Sequence, residues 1–471
     1  MLAALAVVMT VARAQGKSAA TRYETPFGAV WTQNVRAEPA AVKWRLWVGY
    51  SDANHDYLDH LDYLVSLQSR WQAAGLQVGV VMPTGEARKL AATQPPVLVL
   101  APRPDDEQAN SNIVEQLNGR VFLMNADDAV LCAMATPDGI EDVLRAMSSG
   151  AGRDQVLLAK TQLLTLLQNV PDGGNFGRAV DQCLQAMPKS GRAHAAKVLN
   201  YWWCEGDLQA ARTAVKVALK ELADHSLPLC TFADLVVRGD HEDTEVAGWI
   251  AAAIAPIAKD ARHGAFTQLV YLRALLKSRG DARTAGRIAA ILPKRLRGRP
   301  RSQVIFAETV MDAETPEIYR DAAERALKSA EAHAAWKRWV FCARHKLLKR
   351  CGDDAGAKLL MATYRKDPVG RGDLNNDAWY LMVQPQTMGR FDTLALAQTQ
   401  QMQAVQGARI SVNSKDTAAL ALFRNGHLEQ AIALAKETNP KTHSAYLGRF
   451  QRYEAVLARR KSNKLPAKAN K

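Results

Sequence analysis

The chain has 471 residues, of which 48% are hydrophobic and 23% are charged. This composition excludes wholesale disorder, and the length is sufficient for about two to four domains. The 61 basic residues outnumber the 47 acidic ones, and the formal net charge of +14 favours anionic partners. A charge of this kind does not choose among nucleic acid, lipid headgroups and acidic proteins.

The first 14 residues form an apolar run that ends in Ala12-Arg13-Ala14, the small-x-small pattern of a signal-peptidase site. The run is too short to span a bilayer permanently. No Lys or Arg precedes it, so a weak signal, a late start and the frayed N-terminus of a cytoplasmic protein all stay open. We interpret residues 1–14 as the signal peptide of an exported, periplasmic protein and residues 15–40 as a linker.

Residues 41–150 alternate between strand and helix patterns, which predicts an α/β domain. Gly75 is typical of a helix end, and the composition of residues 125–128 is typical of a hairpin turn. The predicted strands are 43–50, 76–81, 96–100, 120–124 and 129–133, and the predicted helices are 57–74, 86–92 and 140–147.

Four segments of this domain, 74–80, 96–100, 121–130 and 136–141, resemble in register the periplasmic thiol–disulfide redoxins of the TlpA-like thioredoxin family. The resemblance implies a thioredoxin-like fold for residues 41–150. In the same register, Ser51 and Asn54 occupy the two cysteine positions of the family's Cys-x-x-Cys, and Gly119 occupies its cis-proline position. Because thiol exchange requires a thiolate nucleophile, we expect this domain to be redox-inactive.

Acidic residues and histidines surround these positions and offer two interpretations. One is a divalent metal site or a remnant acid–base pocket, since the i, i+4 pairs each lie on one helix face. The other is helix capping and polar surface, which we favour, so we predict no metal and no cofactor. The residues concerned are Asp52, His55, Asp56, Asp59 and His60.

The chain has six cysteines, none in a Cys-x-x-Cys pair or a zinc-binding spacing. Most lie in apolar helical runs, where a buried thiol is expected. A disulfide between Cys342 and Cys351 is possible in an oxidising compartment. If the redoxin register is wrong, Cys132, Cys183 or Cys204 could act as a single catalytic thiol, and Cys132, on a predicted strand, is the best of these.

From residue 155 to 457 the pattern is helical and repeats. Turn glycines at 206, 280, 352 and 426 are spaced 72–74 residues apart, and Gly239 and Gly389 divide two of these intervals. The half-interval of about 34–37 residues is the period of a helix–turn–helix solenoid. The third midpoint is predicted at the turn Met311–Pro316. An alanine follows five residues after a glycine in five places: Ala179, Ala211, Ala285, Ala357 and Ala431.

This half of the chain resembles tetratricopeptide repeats, most closely at 195–219 and 417–436. We expect each turn glycine to be left-handed, the alanine to allow close packing, and the residue four before the glycine to fill the hairpin core. Stacked hairpins of this kind form a groove that binds a protein or peptide partner. The residues expected to fill the hairpin cores are Trp202, Leu276, Leu348 and Leu422. We also expect Tyr201, Trp202, Trp203, Trp336 and Trp339 to be core residues rather than a ligand platform.

Basic residues are dense at 294–301 and in the C-terminal segment 458–471, which we interpret as a solvated loop and a disordered tail. The sequence therefore predicts an exported, non-catalytic binding or scaffold protein with no small-molecule substrate. Two alternatives are a monothiol thiol–disulfide oxidoreductase of the cell envelope and a basic surface that binds nucleic acid or the anionic envelope.

Overall fold

The protein is described here by a computed structural model, which divides into two compact units, Met1–Pro137 and Asp138–Lys471. No helix among the described residues is long and apolar enough to cross a membrane. The structure describes residues 22–25, 28–32, 42–49, 57–82, 87–88, 91–92, 97–101, 121–127, 129–134, 139–149, 154, 176–205, 207–238, 243–259, 265–366, 373–383, 387, 389–440 and 444–462.

The first unit contains a seven-stranded mixed sheet in the order β1-β2-β5-β4-β3-β6-β7. Helix α1, Tyr57–Trp71, connects the parallel neighbours β3 and β4, and β6 runs antiparallel to both β3 and β7. This unit is an α/β structure, as the alternation of patterns predicts. The strands are β1 Arg22–Thr25, β2 Gly28–Thr32, β3 Trp44–Gly49, β4 Leu76–Val81, β5 Leu98–Ala101, β6 Val121–Asn125 and β7 Val130–Met134.

The centre of the sheet is organised around Trp47, which is fully buried. Trp47 on β3 is in register with Gly79 on β4, and a Cβ atom at Gly79 would lie 2.4 Å from the Trp47 ring. The glycine therefore makes room for the indole. Gln68 ties α1 to β4, because its Nε2 donates to the Leu76 carbonyl at 2.9 Å and its Oε1 accepts from the Val78 N–H at 2.6 Å.

The predicted linker 15–40 is wrong for part of its length. Residues 22–25 and 28–32 form an antiparallel hairpin, and β2 pairs with the outer side of β5 through Trp31 and Thr32. Without β2, the side of β5 that faces away from β4 would have unpaired backbone N–H and C=O groups. Strand β2 forms hydrogen bonds with this edge, which is the physical reason for the hairpin.

The elements described in the second unit are all helices. Helix α2 is Ile140–Ser148. It is followed by α3 Phe176–Ala186, α4 Gly191–Leu199, α5 Leu208–Glu221, α6 Ser226–Arg238, α7 Thr244–Lys259, α8 Ala265–Ser278, α9 Ala282–Arg295, α10 Pro300–Val310, α11 Arg320–Glu331, α12 Lys337–Arg350, α13 Asp354–Tyr364, α14 Leu374–Val383, α15 Asp392–Gln406, α16 Val412–Arg424, α17 Leu428–Lys436 and α18 Ser444–Ser462. The start of the predicted tail 458–471 thus belongs to α18.

Helix α2, predicted to close the first domain at residue 150, groups with the second unit. The buried His225 lies with its Nδ1 3.1 Å from Glu141 Oε2, and the Lys189 N–H donates to Asp142 Oδ1 at 3.2 Å. These contacts tie the first turn of α2 to α6 and to the turn before α4. The boundary between the units therefore lies at residue 137.

Successive helices pack as hairpins, and every second helix forms a layer in which α6, α8, α10 and α12 contact one another in order. One continuous apolar cluster runs from Ala195 to Leu347 through this layer. The last helix, α18, also packs on the π-helical segment Asn200–Glu205 near the start of the unit.

Three of the predicted turn glycines have the expected left-handed backbone, Gly352 with φ 72°, Gly389 with φ 77° and Gly426 with φ 83°. The residue after Gly352 and the residue after Gly426 each donate to a carbonyl five positions earlier, Asp353 to Leu348 at 2.8 Å and His427 to Leu422 at 2.9 Å. This is the Schellman bond that satisfies a helix end. At the turn before α9 the prediction is wrong, because Arg279 with φ 54°, and not Gly280, is left-handed.

Aspartates that follow three of the predicted turn glycines cap the second helix of their hairpins. Asp207, Asp281 and Asp353 accept the backbone N–H of Ala210, Thr284 and Gly356 at 2.9, 3.0 and 2.8 Å. A carboxylate at this position satisfies a free N–H of the first turn. The aspartate of each Gly-Asp pair therefore starts the second helix of its hairpin.

The alanines that follow the turns are buried as predicted at Ala211, Ala285, Ala357 and Ala431, and Ala179 is half-buried. The prediction for the large residue four before the glycine holds in part, because Trp202, Leu276 and Leu422 pack against apolar clusters without being fully buried. Leu276, Leu348 and Leu422 are only partly buried, whereas the preceding residues Leu275, Leu347 and Ala421 are buried.

Replacing Gly352 with alanine is expected to lower the free energy of unfolding by about 1–2 kcal/mol, because an L side chain is strained at φ 72°. Gly352→Asn is the control and should lose less, since asparagine tolerates the left-handed region. Urea unfolding followed by circular dichroism measures both values. Equal losses for the two variants would show that backbone strain is not the cause.

Candidate functional site

A row of charged side chains, three of them buried and four of them mostly buried, crosses several helices of the second unit. We call Asp234, Arg238, Arg273, Glu308, Asp312, Lys346 and Arg390 the charge row. They come from α6, α8, α10, the turn after α10, α12 and the residues before α15. The row thus joins helices that are far apart in the sequence.

Arg273 lies at the centre of the row. Its Nη1 is 3.4 Å from Asp234 Oδ1, its Nη2 is 4.0 Å from Glu308 Oε2, and its Nε is 3.1 Å from Asp312 Oδ2. Arg238 pairs with Asp234 one helical turn earlier. One guanidinium thus faces carboxylates from three elements, which fixes the stacking of α6, α8 and α10.

Glu308 is the most buried carboxylate of the row, at 1% exposure. Arg390 holds it by two hydrogen bonds, with Nε donating to Oε2 at 2.9 Å and Nη2 donating to Oε1 at 2.6 Å. A bidentate arginine–carboxylate pair of this kind is a strong, directional contact. The Arg390 guanidinium also lies 4.9 Å from the Phe391 ring centroid and 5.7 Å from that of Trp339.

The row holds three carboxylates and four cations, so the positive charge is in excess. Burial, and then repulsion from Arg390 and Arg273, lowers the pKa of the Arg238 guanidinium well below its ordinary value. Burial of Asp312 opposes its ionisation, but the nearby cations, Lys346 first, together lower its pKa. Both shifts reflect a dry site in which each charge depends on its partners.

A second buried pair stands further along the unit. Arg449 on α18 donates to both carboxylate oxygens of Asp416 on α16, at 2.9 and 2.7 Å. Its guanidinium lies 5.2 Å from the Trp379 ring centroid on α14. The pair and the ring contact therefore tie α18 to α16 and α14.

Most residues of the predicted redoxin site lie outside the described residues: Ser51, Asp52, Asn54, His55, Asp56 and Gly119. Asp59 and His60 belong to the first turn of α1, and their side chains also lie outside the described part. Among the described residues, no three His, Cys, Asp or Glu side chains are grouped to hold a metal ion.

No disulfide joins any two of the described cysteines: Cys132, Cys183, Cys230, Cys342 and Cys351. The possible disulfide between Cys342 and Cys351 is therefore not formed. Burial raises the pKa of Cys183 to about 11 and the pKa values of Cys230 and Cys342 to about 12. At neutral pH these three thiols are protonated and are poor nucleophiles.

Sequence reasoning missed the charge row, although a signal for it is present. Asp234, Arg273 and Glu308 each stand inside an otherwise apolar helical run, such as Leu269 to Leu276 around Arg273. A charged residue in such a position is buried only when it is paired. The signal gives the burial of each residue but not its partner, because the partners lie on other helices.

The predicted aromatic residues of the helical half pack on its core. Tyr201, Trp202, Trp336 and Trp339 are partly buried against the main apolar cluster, and the side chain of Trp203 lies outside the described part. This agrees with a core role for the four described side chains.

The chain matches no protein-family model, and no curated protein or solved structure is significantly similar to it.

Proposed function

We propose that the chain is an exported, non-catalytic binding or scaffold protein, with a redox-inactive thioredoxin-like domain and a tetratricopeptide-like solenoid. The observation that carries the proposal is the ordered packing of helical hairpins through the second unit. Structures of this class present extended surfaces to protein or peptide partners and require no reacting groups.

The order of elements along the chain from β3 to α2 supports the thioredoxin-like part. A strand, a helix and a parallel strand, β3-α1-β4, are followed by the antiparallel strands β6 and β7 and then by helix α2. The sheet order β4-β3-β6-β7 agrees with that fold. The resemblance to TlpA-like redoxins places serine and asparagine where that family has its cysteines.

The hairpin turns support the tetratricopeptide-like part. The same construction, a left-handed residue followed by a capping aspartate and a buried alanine four residues later, recurs at 279–285 and 352–357. The alternate helices form a layer, as expected for a solenoid.

The non-catalytic part of the proposal is tested with the purified full chain in insulin-reduction and glutathione-disulfide assays, beside an active redoxin. We expect no turnover above the uncatalysed rate, because the described thiols with raised pKa values are protonated. Turnover that Cys132→Ser abolishes would overturn the proposal in favour of a monothiol oxidoreductase. Cys351→Ser, which removes a partly exposed thiol of the helical unit, is the matched control.

The binding part is tested by cross-linking the full chain in an envelope extract, identifying the adducts and purifying each partner. A true partner should rebind the full chain in a defined stoichiometry when measured by calorimetry. If every purified candidate fails to rebind, the scaffold function is contradicted.

A further inference from the structure

Half of the chain's net charge is concentrated in one stretch of 23 residues, 279–301. Residues 279–301 contain seven arginines and one lysine but only one acidic residue, Asp281, so this stretch has a net charge of +7 out of +14. It corresponds to helix α9 and the turn that leads into α10. The predicted solvated loop at 294–301 is thus one end of a larger basic surface.

The basic residues of α9 share one face. Arg283, Arg287 and Lys294 are exposed and stand at spacings of four and seven residues. These spacings place the three side chains within about 40° of one another around the axis and spread them over about 16 Å along it. We call Arg283, Arg287, Ile291 and Lys294 the α9 face.

The one acidic residue of the stretch serves as a helix cap. Asp281 caps α9 and accepts from both the backbone N–H and the hydroxyl of Thr284, at 3.0 and 2.5 Å. At the other end of the helix, Leu296 is fully buried and Pro300 begins α10, so the turn carrying Arg297 is held between two packed helices. The cations therefore stand on a fixed framework.

The chemistry of the stretch favours one class of partner. Residues 279–301 contain no aromatic residue to stack on a base and no Asn or Gln to read one. Ile291 is 49% exposed and lies one turn from Arg287 on one side and Arg295 on the other. An exposed aliphatic side chain among cations suits the interface of an anionic bilayer, where the charges meet phosphates and the apolar group meets acyl chains.

We propose that the α9 face and the turn after it bind the surface of an anionic phospholipid bilayer. The contact is peripheral, because it uses one helix lying against the headgroups. It does not depend on the proposed scaffold function, and it gives the chain a membrane-facing side whichever partner the other helices bind.

The test is co-sedimentation of the full chain with vesicles of phosphatidylglycerol and phosphatidylcholine, compared with vesicles of phosphatidylcholine alone. We expect binding only to the anionic vesicles, with an affinity that falls as salt is raised. The variant Arg283→Glu/Arg287→Glu/Lys294→Glu should bind more weakly by at least about 100-fold, because each lost cation contributes about fivefold and each new glutamate is repelled by the anionic surface. Ile291→Ser should weaken binding about three- to tenfold.

The matched control is Lys328→Glu/Lys358→Glu/Lys436→Glu, which makes the same change in net charge at exposed lysines of other helices. It should keep most of the affinity. If the two triple variants lose affinity equally, or the wild-type chain does not bind anionic vesicles at low salt, the proposal is wrong. If the charge-reversed α9 variant unfolds, the glutamine variants at the same three positions replace it.

A 30-base-pair DNA duplex, measured by fluorescence anisotropy at the same salt concentration, separates a lipid surface from a nucleic acid. Tighter binding to the duplex than to the anionic vesicles, lost in the α9 variant, would overturn the lipid assignment in favour of nucleic acid.

Discussion

Replacing Glu308 with alanine is expected to lower the free energy of unfolding of the helical unit by about 3–5 kcal/mol. Glu308 is almost fully buried and accepts two hydrogen bonds from Arg390, with Arg273 also within 4.0 Å. Its removal leaves two guanidinium groups in a dry site that already has more cations than carboxylates. The cost comes mainly from this uncompensated charge and not from the loss of side-chain volume.

Glu331→Ala is the matched control, because Glu331 also accepts two hydrogen bonds from one arginine, Arg344, at 3.3 and 3.1 Å. The Glu331 side chain is 47% exposed, so water replaces the lost partner and the expected loss is below about 1 kcal/mol. Glu308→Gln keeps the shape of the side chain but removes its charge, so it should lower the free energy of unfolding nearly as much as Glu308→Ala. Urea unfolding of the three variants measures these differences, and equal losses for Glu308→Ala and Glu331→Ala would contradict the role of burial.

Replacing Gly191 with alanine is expected to cost about 3 kcal/mol, at the upper end of the usual range for overpacking. A Cβ atom at Gly191 would lie 2.0 Å from the Pro228 carbonyl oxygen and 3.0 Å from the Phe232 nitrogen. Both are backbone atoms of α6, so no side chain can rotate away. The two helices must separate, and the apolar cluster between them loosens with them.

Gly286→Ala tests the same substitution where the space is open. Gly286 lies inside α9, and a Cβ atom there has no neighbour within 4 Å. Because alanine is the better helix former, this variant should be more stable than wild type by about 0.5–1 kcal/mol. In thermal unfolding, Gly191→Ala should lower the melting temperature and Gly286→Ala should raise it. A stabilising effect at Gly191 would contradict the close packing of α4 and α6.

The sequence predicted the α/β part followed by a helical part, because strand and helix periods are local properties of the chain. It also predicted the turns at Gly352 and Gly426 and the buried alanines after them. It did not predict that Arg279, and not Gly280, would have the left-handed backbone at the turn before α9. A glycine at position 280 looks the same in the sequence whether the left-handed residue is that glycine or the one before it.

The sequence did not predict the features that depend on contacts between distant parts of the chain, because such contacts leave no local pattern. The hairpin β1-β2 lies in a predicted linker because two short strands have little pattern of their own until β5 provides an edge. The pairing of Glu308 with Arg390 spans 82 residues, and no period in the sequence connects them. Charge balance across stacked helices is a property of the packed structure alone.

The packing of α18 on the segment Asn200–Glu205 has a consequence for folding. A linear array of repeats can fray from either end, because a terminal hairpin has a neighbour on one side only. Here a late helix contacts an early segment across more than 200 residues, so the stretch of helices between them cannot open at either end without breaking that contact. The order of synthesis places this contact last, and forming it requires slow closure of a long loop. The helical unit therefore gains all-or-none unfolding at the expense of folding speed.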